Sequence, residues 1–132
     1  MDIENKATIE TNATQGRLGP HELQEAQLML AGKKEVAYFH RDYPEIHFRE
    51  MKKCIEAGLF ESRRFYDVPP REGLVVWVPH AKEKAMRLIE VITYSWNNRL
   101  SEEVEREIGR LLGYSEQDID FYIAHLRRSY HF

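Results

Sequence analysis

The stretch YFHRDYPEIHFRE, residues 38–50, holds two histidines, an aspartate and two glutamates within thirteen positions. His47 and Glu50 are three apart, a spacing that turns both to one side of a helix. Imidazole titrates near neutrality, and a neighbouring carboxylate can fix its tautomer. His40, Asp42, His47 and Glu50 are therefore candidates for shared acid–base work or for gathering a metal ion. The same residues have a plainer reading, which accounts for more of them. Asp42 and Glu45 have capping-box spacing, Pro44 suits a first helical turn, and both acids favour the positive end of a helix. The sequence favours this second reading: a strand, a charged turn and a helix start. No catalytic residue is assigned and no metal or cofactor is expected.

Other signatures of chemistry are missing. There is no phosphate-binding glycine loop, no nucleophile elbow and no metalloprotease helix motif. Cys54 is the one cysteine, which excludes an internal disulfide and a structural zinc site built on cysteines. It falls deep in a predicted helix beside Met51 and Ile55, where a thiol is a packing group rather than a nucleophile.

The elements that would position these residues follow from periodicity and punctuation. Residues 1–17 are polar and aperiodic and are expected to form a flexible tail. A first helix is predicted from Pro20, with Leu23, Ala26, Met29 and Leu30 buried and Gly32 as its left-handed cap. A strand at 35–39 follows, then a helix over 43–57 burying Phe48, Met51 and Ile55 and capped by Gly58. The segment FESRRFYDV reads as a second strand, PPREG as a turn and LVVWV as a third strand. The short turn makes strands two and three antiparallel neighbours, whereas a helical crossover suits parallel strands one and two. An all-apolar third strand belongs in the centre, so the order 1-3-2 is predicted.

The remainder reads as helix. Ala85, Leu88, Ile89, Ile92 and Trp96 form the stripe of a helix near 80–95, and Ser101 caps the next, with Val104, Ile108, Leu111 and Leu112 buried. In LLGYSEQD, Gly113 closes that helix and Ser115 with Asp118 opens the last, which buries Ile119, Tyr122, Ile123, Leu126 and Tyr130. The expected class is α+β over residues 18–132: a small three-stranded mixed sheet packed with helices and a C-terminal helical hairpin.

Composition narrows the function. The chain has 132 residues, enough to bury roughly two-thirds of its unfolded surface without cross-links. A formal net charge of -3 argues against a dedicated binder of phosphate backbones. Between residues 33 and 71, nine Lys or Arg face seven Asp or Glu, and Phe39, Tyr43, Phe65 and Tyr66 are interleaved with them. Weak single-stranded nucleic-acid binding is thus an alternative. The first residues lack the basic start and apolar run of a signal peptide, no stretch reaches the ~20 apolar residues of a membrane span, and a lone thiol suits a reducing compartment, so a cytoplasmic protein is expected.

In the predicted topology the ends of strands one and two share a sheet edge with the PPREG turn. Arg41, Tyr43, Asp67, Arg71 and Glu72 gather there, and arginine and tyrosine are enriched at interface hot spots. Tyr114 and Phe121 are expected as a second exposed patch. The leading expectation is a non-enzymatic module that binds another protein, as an inhibitor, immunity or accessory protein; the competing one is a small enzyme using the His/Asp/Glu cluster at 40–50.

Overall fold

The run Leu74–Trp77 is apolar at every position because it is covered on both faces. In the computed structural model, which describes residues 18–131, it belongs to the middle strand Glu72–Trp77 (β3) of a three-stranded sheet. Val36–His40 (β1) flanks it on one side and Glu61–Tyr66 (β2) on the other, giving the order β1-β3-β2. Both ladders are antiparallel, with His40 and Phe65 opposite Gly73 from either side. β1 and β2 therefore run parallel without touching, and the sheet is antiparallel throughout.

Alternation along each strand divides the interior. Ala37, Phe39, Leu74 and Val76 face one way and pack on Ala26 and Met29 of helix Glu25–Leu30 (α1) and on Met51 and Cys54 of helix Arg49–Glu56 (α2). Val36, Phe65, Val75 and Trp77 face the other way, against Ala85, Leu88 and Ile92 of helix Lys82–Trp96 (α3) and Leu112. Helices Glu102–Leu111 (α4) and Glu116–Tyr130 (α5) form the C-terminal hairpin, in which α5 buries Ile119, Ile123 and Leu126. Gly109 sets their separation, since a Cβ there would lie 2.8 Å from Cγ1 of Ile119.

Three of the helices end with the same device. Gly32, Gly58 and Gly113 take φ of 74°, 79° and 85°. In each case the following N–H closes back on the helix: Lys33 donates to Leu28, Leu59 to Cys54 and Tyr114 to Gly109, at 2.9, 3.0 and 3.0 Å. Ser101 and Ser115 accept from the backbone N–H of Val104 and Asp118, as their positions predict.

Several expectations need correction. The chain from Pro20 to Gln24 is turn rather than helix, and α1 begins only at Glu25. Leu23 and Leu30 are exposed, leaving Ala26 and Met29 as the buried stripe. The helix expected over 43–57 is a short 3-10 turn, Glu45–His47, followed by α2, and neither start has a side-chain cap. The Asp42–Glu45 box does not form; the Asp42 N–H donates instead to Nδ1 of His40 at 3.2 Å. Glu72 and Gly73 belong to β3, not to the turn. Tyr130 is exposed at the end of α5, and Tyr122 lies at its margin. The tail expected over residues 1–17 falls outside the described residues.

Candidate functional site

The cluster that opens the sequence does not assemble. His40 accepts from the Asp42 backbone, and the Tyr43 ring neighbours both imidazoles, with centroids 6.0 Å from His40 and 6.4 Å from His47. Among the described residues no three His, Cys, Asp or Glu side chains come close enough to hold a metal ion. His40, Asp42, His47 and Glu50 lie along the end of β1, the turn after it and the start of α2, and they do not form a group that could hold a metal ion. Cys54 is buried, and desolvation followed by the nearby Glu50 pushes its thiol pKa up, away from the reactive thiolate.

The residues expected at the shared sheet edge are divided between two places. His40, Arg41, Tyr43 and Glu72 line one open groove of about 900 Å³ between α2 and β2, together with Arg49, Lys52 and Arg64. Asp67 and Arg71 are engaged elsewhere: the Asn97 amide at the end of α3 donates to Asp67 at 2.7 Å and accepts from Arg71 at 3.2 Å. Tyr43 is not a free side chain. Its ring meets Phe39 edge-on at 4.9 Å, and its hydroxyl is buried without a partner at bonding geometry. Burial also removes the stacking platforms that nucleic-acid binding needs, since Phe39 and Phe65 are core residues and Tyr66 alone of the four aromatics is exposed. Tyr114, expected on the surface, is half-buried against two parts of the core.

A different site is better formed. Between the sheet and the C-terminal hairpin lies a cleft of about 340 Å³, within the range of small-molecule sites. Four aromatic residues line it: Tyr38 from β1, Trp96 from the last turn of α3, Tyr114 from the α4–α5 turn and Tyr122 from α5. Gly73 makes one wall possible, because a Cβ there would meet the rings of Tyr38 and Phe65 at 2.7 and 2.8 Å. Phe65 in turn supports Trp96 from behind.

Glu105 and Asp118 bring carboxylates to this cleft. Glu105 sits on α4, and burial pushes its pKa above the usual carboxylate range, opposed by the nearby Tyr122 hydroxyl. Burial first, and then the charge of Glu105, holds Tyr122 up to about 12, so the phenol stays a donor. Tyr114 is likewise held up to about 12, chiefly by burial. A half-buried carboxylate ringed by aromatic faces is a receptor for an organic cation with a flat ring.

Behind the cleft stands a buried lysine. Lys34 is 4% exposed. Its ammonium donates to the carbonyl of Leu112 at 2.5 Å and to Nδ1 of His21 at 2.8 Å, and lies 5.2 Å from the centre of the Tyr114 ring. Desolvation lowers its pKa to about 8, with Glu25 acting in the opposite sense.

The sequence reading missed Tyr38, Trp96, Glu105, Tyr122 and Lys34 as site residues. One signal was present: Glu105, Gly109 and Leu112 are spaced i, i+4, i+7 on α4. A glycine inside a helix often marks close approach of a neighbour, here next to an acid one turn away.

No protein-family model and no curated protein matches the sequence. Among solved structures the chain is similar to NleE, described as a bacterial cysteine methyltransferase effector, with a TM-score of 0.59 and 17% identity. The match covers 96% of this chain and 77% of that one. At this identity the likeness is one of fold. It overturns the expectation of a non-enzymatic binding module, because that expectation rested on the lack of a catalytic signature in the sequence. This fold carries an enzyme in another chain.

Proposed function

We propose that the protein is a small group-transfer enzyme of the methyltransferase class, binding a sulfonium methyl donor in the aromatic cleft. The observation that carries this reading is the half-buried Glu105 among Tyr38, Trp96, Tyr114 and Tyr122. The likeness in fold to a cysteine methyltransferase supports it. When bound, such a donor supplies an electrophilic methyl group, which passes to a nucleophile and leaves a neutral thioether. The chain's part is to bind and orient. Glu105 pairs with the positive charge, with the Tyr122 hydroxyl lining the same cleft. The aromatic faces add about 0.5–2 kcal/mol of cation–π attraction and stack on a flat heterocycle. Cys54 is not the acceptor, being buried with a raised pKa, so the accepting thiol or other nucleophile belongs to a second molecule. The lone thiol also supports placing the protein in the cytoplasm.

Calorimetric titration of the whole chain with S-adenosylmethionine tests the binding step. Saturable binding is expected, weakened at least tenfold, about 1.4 kcal/mol, by Glu105→Gln or Trp96→Ala. Absence of binding at millimolar donor rejects the reading. Transfer is tested by incubating protein and isotopically labelled donor with a thiol-bearing peptide; donor binding without any labelling would leave a binding protein and not an enzyme.

A further inference from the structure

Gly19 and Pro20 line the cleft from outside the helical framework. They belong to residues 18–24, a pair of turns in which the Glu22 N–H donates to Gly19 and the Gln24 N–H to His21, at 3.0 and 2.9 Å. This segment is held differently from the other walls. Gly19 and Leu23 have positive φ, 54° and 67°, and for leucine that conformation costs about 1–2 kcal/mol. The side chains of Leu18 and Leu23 are exposed. The opposite walls come from long helices anchored by fully buried residues such as Ile92 and Ile119.

His21 ties this segment to the cleft wall. The His21 ring stands edge-on to Tyr114, with centroids 4.7 Å apart. The Lys34 ammonium bonds His21, the Leu112 carbonyl at the end of α4, and the face of Tyr114. Three separate pieces of the cleft wall thus share one cation.

We infer that Lys34 is a latch that holds residues 18–24 as a strap across the cleft, and that ligand passes when the strap lifts. A short turn segment that buries Pro20 but exposes its leucines and carries backbone strain has a low cost of local opening. Loss of the ammonium removes one partner of His21 and one support of Tyr114, while the sheet and the helical hairpin keep their own cores. The inference concerns the cleft alone and does not depend on the ligand being a methyl donor.

Hydrogen–deuterium exchange on the ligand-free chain tests it. The amides of Glu22 and Gln24 should be protected in the wild type and exchange at least tenfold faster in Lys34→Met, with residues 116–130 unchanged. Acrylamide should quench Trp96, which lines the cleft, more strongly in the variant, because Trp77 is buried and contributes a constant background. His21→Ala leaves the ammonium on Leu112 and Tyr114, so it decides the matter if Lys34→Met does not fold. Unprotected turn amides in the wild type, or exchange in the variants that rises equally across the whole chain, overturns the latch. Donor titration uses neither readout, so failure of the strap and failure of the methyl-donor reading are separable.

Discussion

Phe65 lies flat on Trp96, with ring centroids 5.3 Å apart and planes 15° from parallel. The pair joins edge strand β2 to the last turn of α3, and Trp96 lines the cleft. Tyr38 extends the row from β1, its ring 6.1 Å from Phe65, and the two rings meet only because Gly73 has no side chain between them.

Gly73→Ala should therefore push Tyr38 and Phe65 apart. A loss of about 1–3 kcal/mol is expected from overpacking, read as a lower urea midpoint with unchanged slope. A variant as stable as the wild type would show that the rings have room to give.

Leu23→Gly should do the opposite. Leu23 has φ of 67° and an exposed side chain, so glycine relieves backbone strain and sacrifices little burial. A gain of up to about 1 kcal/mol is expected, and a lower thermal midpoint would contradict the strained turn.

Lys34 gives the stability curve a sign. Its pKa falls from the ordinary 10.5 to about 8 in the folded protein, so between those values the unfolded chain binds more protons than the native one. Stability contributed by this group rises with pH across that window, by roughly 3 kcal/mol in total. Above pH 9 Cys54, and above pH 10 the tyrosines Tyr114 and Tyr122, pull the other way, because burial raises their pKa values in the native state. The difference between wild type and Lys34→Met isolates the lysine. Parallel stability curves for the two proteins from pH 7 to 10 would refute the burial of a charged ammonium.

Ser115→Ala should loosen the C-terminal hairpin. The hydroxyl accepts from the Asp118 N–H at 3.1 Å at the start of α5, and loss of such a cap costs about 1 kcal/mol. Arg110→Ala is the contrast: its bonds to Glu116, at 2.8 and 2.9 Å, are solvent-exposed, and a change below about 0.5 kcal/mol is expected. The same chemical denaturation measures both, and an Arg110 effect as large as that of Ser115 would contradict this ranking.

The fold was legible where one residue type dictates geometry. Gly32, Gly58 and Gly113 each mark a helix end with positive φ, and the apolar run at Leu74–Trp77 places β3 in the centre. Legibility failed where tertiary contact overrides a local signal. Pro20 looks like a helix start, yet it is buried against the cleft and the helix is delayed to Glu25. Asp42 and Glu45 have the spacing of a capping box, but the neighbouring His40 ring takes the Asp42 N–H instead. The candidate site was the least legible part. Tyr38, Trp96, Glu105 and Tyr122 come from four elements, and each has an ordinary role on its own strand or helix. Only the closed fold brings them around one space. The residues of the dense run at 38–50 are close in sequence, yet they supply no group able to hold a metal ion.

Cys54, the one cysteine of the chain, lies on the buried face of α2 with its thiol shielded from water. One practical result is a silent background for thiol chemistry. In a labelling assay the protein has no accessible cysteine on which to deposit a methyl group, so S-methylation found on cysteine reports on the added substrate and not on automodification. The same shielding makes any cysteine introduced on the surface the only reactive one, so a spectroscopic probe can be attached to the strap at residue 18 without first removing a native thiol.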